Sequence, residues 1–321
     1  MNYKPIIIVA GEPNSIFLEI FFKALKYKKY KSPIILICSL KILNLQMKSF
    51  RINKKIKILE VSKLKSYNLN NKTINLIDVN FEQKQVFKKI TNTSNQYIQN
   101  CFKVAFYLIK NKYSNKLING PISKKSFLNK KFLGITEFIA KKFSIKKNAM
   151  LIYNKKLSVC PITTHLPLKF VSKNIKKAKI YEKIDLINQF YQKKFKINPR
   201  IGVLGLNPHC ETIDKFNEDE KIIKPIIEYF KKSKYNITGP LSADTAFLKK
   251  NRKNFDVLVG MYHDQVLTPI KTLFEYDAIN ITLGLPFTRI SPDHGPNETM
   301  LGKNKSNPLS LIKAINFLDK I

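Results

Sequence analysis

Short, unbroken apolar runs stopped by turn residues constrain this chain more than any other feature. Pro5-Ile-Ile-Ile-Val-Ala10 runs straight into Gly11-Glu-Pro-Asn-Ser15, and Pro33–Cys38, Ile201–Leu206 and, but for Asp256, Phe255–Met261 repeat the pattern, while Lys116–Ile118 and Ile279–Leu283 read as further short strands. A strand with one wet face alternates polar and apolar residues. A strand that is apolar throughout is covered on both faces, as in a parallel sheet between helices. The intervening segments fit that picture. Ser94–Tyr113, Ile175–Lys194 and Leu309–Leu318 have apolar residues at helical spacing, and a helix through Leu25 is expected to be capped by Ser15 or Asn14. Glu218–Phe230 also reads as helical, with Pro225 as a local objection. Ala149–Tyr153 and Leu157–Cys160 read as paired strands around Asn154-Lys155, and Lys55–Val61 as a half-buried strand, whereas 62–90 has no usable pattern. Alternating strands and helices predict an α/β protein with largely parallel sheets.

At 321 residues and 44% hydrophobic content the chain can bury a large core, which excludes global disorder. No apolar stretch approaches the roughly 20 residues of a membrane span. The apolar run near Met1 is shorter than the ~7–15-residue core of a signal peptide. A cytoplasmic protein with no membrane association is therefore expected. The formal net charge of +36 raises nucleic acid as a partner. Against it, arginine occurs only at 51, 200, 252 and 289, the other 54 basic residues being lysines spread over the whole chain. Phosphate and base recognition relies on the arginine fork, so the charge reads as solvated lysine faces rather than a nucleic-acid surface. Cys38, Cys101, Cys160 and Cys210 show no metal or redox spacing and are expected as free thiols.

In open α/β sheets ligands gather beyond the carboxyl ends of the strands, and several scarce residue types fall there. His209 follows Ile201–Leu206, His263 follows Phe255–Met261, His165 lies in Thr163-Thr-His-Leu-Pro167, and His294 in Ser291-Pro-Asp-His-Gly295. Histidines gathered by folding could hold a divalent metal, or they could be satisfied structural residues; no local ligand motif decides. Asp264 could orient His263 or move a proton. Asp244 could do the same, or cap a helix. Lys271, Asn280 and Arg289 form a spaced polar set in an apolar C-terminal third. Arg289 suits a bidentate carboxylate or phosphate contact, or an ordinary ion pair. Gly120-Pro-Ile-Ser123 and Gly134-Ile-Thr-Glu137 offer turn amides and hydroxyls to an anion.

Taken together and in order, Asn119-Gly-Pro-Ile-Ser123, Gly134-Ile-Thr-Glu-Phe138, Thr164-His-Leu-Pro-Leu168, Leu206-Asn-Pro-His209, Gly239-Pro-Leu-Ser-Ala-Asp-Thr-Ala-Phe247, Met261-Tyr-His-Asp-Gln265, Pro269-Ile-Lys271, Asn280-Ile-Thr-Leu-Gly-Leu-Pro286, Arg289 and Asp293-His-Gly295 carry a resemblance. The chain resembles the 4-hydroxythreonine-4-phosphate dehydrogenase family of pyridoxal phosphate biosynthesis, most strongly over 119–303. The resemblance implies an isocitrate/isopropylmalate dehydrogenase-like fold: two α/β/α domains with a cleft between them, here 1–137 plus 298–321 and 138–297, in a homodimer. It implies a divalent metal, zinc first with magnesium or cobalt as alternatives, on His165, His209 and His263. It also implies substrate contacts from Thr136, Lys271, Asn280 and Arg289, and NAD or NADP as oxidant. The cofactor's own contacts are not assigned. The reaction implied is oxidation of the C3 hydroxyl of 4-phosphooxy-L-threonine, followed by decarboxylation.

The chain departs from the family pattern at four places. Ile135 stands where the family has a substrate-contacting histidine, and an isoleucine can neither donate to a phosphate nor carry charge. Gly11-Glu-Pro-Asn-Ser-Ile-Phe-Leu-Glu19 lacks two family glycines, Cys210-Glu-Thr-Ile-Asp214 replaces a glycine-rich turn, and Pro296-Asn297 replaces Thr-Ala. Ile135 motivates an alternative, a related dehydrogenase for another phosphorylated or carboxylated hydroxy-acid. The charge motivates a second alternative, an inactive, nucleic-acid-binding relative.

Overall fold

The computed structural model describes residues 3–123, 127, 134–213, 215–292 and 295–320. Asp214, Asp293 and His294 lie outside the described residues. The chain forms two compact units, Met1–Phe138 with Pro286–Ile321, and Ile139–Leu285. The described residues form twelve strands: β1 (Ile6–Val9), β2 (Ile34–Cys38), β3 (Ile56–Ile58), β4 (Ile74–Asp78), β5 (Lys116–Asn119), β6 (Ala149–Tyr153), β7 (Ser158–Thr163), β8 (Ile201–Leu204), β9 (Ile237–Leu241), β10 (Val257–Tyr262), β11 (Ile279–Leu283) and β12 (Thr288–Pro292).

In the first unit the strand order is β3-β4-β2-β1-β5-β12, every neighbour parallel. The chain re-enters this unit at Pro286 rather than near 298, because β12 pairs with β5 through Arg289↔Leu117 and Ile290↔Ile118. β1 and β2 are buried along their whole length, which is the burial their unbroken apolar sequences require. The helix Asn95–Lys110 buries Tyr97, Ile98, Cys101, Phe102, Ala105 and Leu108 on one face. In the second unit the order is β11-β6-β7-β10-β8-β9. β11, β6 and β7 are antiparallel neighbours, while β7, β10, β8 and β9 are parallel. The fold is thus mixed α/β with mostly parallel pairing. Among the described residues no helix is long and apolar enough to cross a membrane.

Several local expectations are corrected. The first helix, Phe17–Tyr27, has Ile16 at its cap. Ser15 still accepts the Phe17 amide at 3.3 Å, but Asn14 turns away to exchange two amide hydrogen bonds with Gln83, at 3.0 and 3.1 Å. The strand read at Lys55–Val61 stops at Ile58, because the chain coils into a 3₁₀ turn from Val61 to Ser66. β4 arises where no pattern was visible. Its buried Asn75 breaks the apolar run and satisfies its amide on the Ile34 and Asn70 carbonyls, at 2.9 and 2.7 Å. Pro225 does not end its helix. A π turn over Asp219–Ile223 passes into Lys224–Lys232, placing the proline in the first turn, where a missing N–H costs little.

Tight loop packing at the strand ends of the first unit depends on the missing side chains of Gly11 and Gly120. A Cβ on Gly120 would lie 2.1 Å from the Ala10 carbonyl oxygen and 2.8 Å from the Phe17 ring. Backbone cannot yield as a flexible side chain does. Gly120→Ala is expected to lower the unfolding free energy by about 3 kcal/mol, measured as a shift in a urea denaturation midpoint; an unchanged midpoint would show that the two loops have slack.

Candidate active site

β7, β10 and β8 are adjacent, parallel strands, and each leads from its carboxyl end into one of the singled-out histidines: His165, His263 and His209. Sheet order therefore brings three distant sequence segments to one edge. Side chains lock these strand ends together. The Thr163 hydroxyl donates to the Met261 carbonyl at 2.8 Å. The Gln265 side chain accepts the Met261 amide at 2.6 Å and donates to the Gly205 carbonyl at 2.8 Å, bracing β10 against the chain leaving β8.

The rings of His165 and His263 stand 5.7 Å apart, centroid to centroid, and tilted by 37°. The Asp264 carboxylate lies 2.6 Å from His263 Nδ1, so Nε2 is the nitrogen that can face a cation. His209 Nδ1 lies 3.4 Å from Ser242 Oγ and 3.9 Å from Asp244 Oδ2. Ser242 donates to Asp244 at 2.6 Å, and that hydrogen bond leads in holding the Asp244 carboxyl below its ordinary value. Asp244 does not cap its short helix, Ala243–Ala246. Ser242 occupies that position, and the carboxylate points at the Ser242 and His209 side chains instead. His165 and His209 hold left-handed backbones, φ 52° and 55°, a conformation uncommon for non-glycine residues and frequent at functional sites.

Among the described residues no three His, Cys, Asp or Glu side chains stand close enough to hold a metal ion. The donor chemistry nonetheless suits a divalent cation, with imidazoles oriented through Nδ1 by a carboxylate at His263 and by a hydroxyl at His209. Two of the imidazoles are neighbours and the third is carried by the loop after β8. In the same unit Lys271 lies in the last turn of the helix His263–Phe274. Asn280 lies in β11, and its buried Oδ1 has no hydrogen-bond partner among the described residues.

The first unit collects Arg289 and Thr136. Arg289, in β12, is fully buried. Its Nε donates to Asn119 Oδ1 at 2.7 Å and its Nη1 to the Thr136 hydroxyl at 3.3 Å. Burial pulls the guanidinium down to about 10, with the nearby Glu137 carboxylate opposing. Asn119 is the partner that residue-by-residue reading missed. Its only local signal is its place, the last residue of β5 before Gly120-Pro121. Ile135 opens the helix Ile135–Lys142, one position before Thr136.

The first loop of this unit buries a carboxyl. Glu12 accepts the Ser94 hydroxyl at 2.9 Å and the Asn14 amide at 3.3 Å, and desolvation raises its pKa above the ordinary value. A raised folded-state pKa means the protonated acid is favoured by folding. The contribution is complete below the unfolded value and is lost as pH rises through the folded one. Glu12→Gln is therefore expected to stabilise the protein at neutral pH and to have little effect near pH 4, as ~4 is the ordinary carboxyl range. Denaturation midpoints at the two pH values check this, and a gain at acidic pH alone would refute it.

The chain compares closely with known proteins over most of its length. The family model described as "Pyridoxal phosphate biosynthetic protein PdxA" matches residues 29–318. A 4-hydroxythreonine-4-phosphate dehydrogenase from Sulfurihydrogenibium sp. (strain YO3AOP1) is 40% identical over 318 residues, covering 96% of this chain and 95% of the relative. A D-threonate 4-phosphate dehydrogenase from Pectobacterium atrosepticum is 32% identical over 247 residues, covering 75% of this chain and 76% of its own. The crystal structure of 4-hydroxythreonine-4-phosphate dehydrogenase from Klebsiella pneumoniae superposes with a TM-score of 0.84 at 27% identity, covering 98% and 97% of the two chains. The family match over most of the chain and the 40% identity over nearly its whole length agree, and the chain belongs to the PdxA family of pyridoxal phosphate biosynthetic proteins.

Proposed function

We propose that this chain is a 4-hydroxythreonine-4-phosphate dehydrogenase: a metal-dependent, NAD(P)-linked enzyme that oxidises and decarboxylates 4-phosphooxy-L-threonine. Membership of the PdxA family carries the reading, and the convergence of β7, β10 and β8 on three histidines supports it. In this reading His165, His209 and His263 hold the metal, with zinc first and magnesium or cobalt as alternatives. When bound, a divalent cation lowers the pKa of the substrate hydroxyl and stabilises charge that develops on that oxygen. Asp264 fixes the His263 tautomer, and Asp244 with Ser242 orients His209. A base would take the proton of the C3 hydroxyl, and the nicotinamide would supply the acceptor for the hydride that leaves the C3 carbon. The resulting β-keto acid then breaks its bond to the carboxylate, which leaves as carbon dioxide. Lys271 and Arg289 supply positive charge for phosphate and carboxylate, and Thr136 and Asn280 supply neutral hydrogen bonds. The reading includes a cytoplasmic homodimer with the isocitrate/isopropylmalate dehydrogenase-like arrangement of two α/β/α domains and a cleft.

The experiment is direct. Purified protein with zinc, magnesium or cobalt and either nicotinamide cofactor should reduce the cofactor on 4-phosphooxy-L-threonine and release carbon dioxide. No turnover with any of the three metals would sink the reading. Ile135 favours a second substrate, another phosphorylated hydroxy-acid, because an apolar side chain stands beside Thr136. The Pectobacterium relative is named for such a compound. In a panel of hydroxy-acid phosphates, a kcat/KM at least ~10-fold higher for D-threonate 4-phosphate would select that reading.

A further inference from the structure

Among the groups without a part in the mechanism above, one buried carboxylate stands out for what it holds. Asp219 is fully buried, and among the described residues no ion pair with Lys or Arg involves it. Its charge is met by the loop after β8. Oδ1 accepts the Leu206 amide at 2.7 Å, and Oδ2 accepts the Asn207 amide at 3.1 Å and the Asn207 side-chain amide at 2.9 Å. Glu218 takes the same side-chain amide at 3.1 Å. The fit is close: a Cβ on Gly205 would lie 2.7 Å from Asp219 Oδ1 and 2.6 Å from Cys210 Sγ. Hydrogen bonds to a desolvated carboxylate are among the stronger ones available, and they end two residues before His209.

The intervening residue, Pro208, has a ring-fixed φ and transmits the placement of Asn207 stiffly. Beyond it, His209 and Cys210 both hold left-handed backbones, φ 55° and 65°. Two consecutive non-glycine residues in that region persist only when neighbouring structure holds them. The π turn that opens at Asp219 delivers the carboxylate to this loop, and single π turns are frequent at functional sites. We infer that Asp219 is the positioning residue for His209. It clamps the Leu206 and Asn207 amides and, through Pro208, sets where the His209 imidazole stands.

The inference rests on the reading of His209 as a metal ligand, and the test separates the two. Zinc affinity is measured by competition with a chromophoric chelator, and the absorption spectrum of the cobalt form reports the ligand set. Asp219→Asn, isosteric but uncharged, is expected to weaken zinc binding about 10–100-fold and to alter the cobalt spectrum. His209→Ala should weaken zinc binding further, and adding Asp219→Asn to it should cost nothing more, because both changes remove the same ligand. If His209→Ala weakens zinc but folded Asp219→Asn does not, or if the two losses multiply, the positioning role is overturned while the ligand reading stands. If His209→Ala leaves zinc affinity unchanged, both are overturned. Should Asp219→Asn fail to fold, Asn207→Ala decides, since it removes the side-chain amide and keeps the backbone bonds. A loss of about 3–10-fold, again absent in the His209→Ala background, supports the role, and an unchanged affinity overturns it.

Discussion

His263→Ala is expected to lower kcat/KM by about 10³-fold or more, which corresponds to roughly 4 kcal/mol of lost transition-state stabilisation. The position explains the size. His263 is the first residue of its helix, directly after β10. Its ring lies 5.7 Å from that of His165, and its Nδ1 is held by Asp264 at 2.6 Å. Removing the imidazole removes a donor and leaves the Asp264 carboxylate with nothing to orient. The side chain is 35% exposed, so the same change should move the thermal midpoint little. Steady-state kinetics beside thermal unfolding separate the two effects. Asp264→Asn should show a smaller loss, about 10–100-fold, because the ring stays while its orientation weakens. Turnover of His263→Ala within a factor of ten of the parent would remove His263 from the chemistry.

The second large effect is on stability. Arg289→Ala is expected to cost about 3–5 kcal/mol of folding free energy. The guanidinium is fully buried, and its removal deprives Asn119 Oδ1 and the Thr136 hydroxyl of a donor and Glu137 of a nearby cation. Arg289→Lys should recover part of this loss. A single ammonium cannot reproduce a planar fork that reaches Asn119 through Nε and Thr136 through Nη1. Urea denaturation measures the stability, and the folded Lys variant then tests the proposed substrate role. A KM for the phosphorylated substrate raised about 10-fold or more, with kcat less affected, marks Arg289 as an anion contact. An unchanged KM makes it a structural arginine only.

Much of the fold is legible from local pattern, because burial on both faces leaves its mark on consecutive residues. β1, β2, β8 and β10 each lie within an apolar run. Several of the missed elements have a different cause. β4 carries Asn75, β9 carries Gly239-Pro240, β12 carries Arg289, and the helix His263–Phe274 contains Pro269. Each carries a residue that local propensity disfavours, and for Asn75 and Arg289 tertiary hydrogen bonds offset that cost. The Asn75 side-chain amide donates to two carbonyls, and Arg289 donates to Asn119 and Thr136.

The site divides in the same way. That His209 and His263 follow strands is a local fact, readable where an apolar run gives way to polar residues. That their strands are neighbours, with β10 between β7 and β8, depends on crossover connections that no short window contains. Asp219 had no signal at all: in sequence it is one acidic residue in a polar stretch, and only burial against the Leu206 and Asn207 amides distinguishes it from a solvated carboxylate. Residue type and periodicity were enough for the α/β class, the buried strands and the identity of the chemically capable side chains, because those follow from solvation and backbone preference one segment at a time. Which of those side chains meet, and which carboxylate holds which loop, was decided by sheet order and burial, which are properties of segments far apart in the chain.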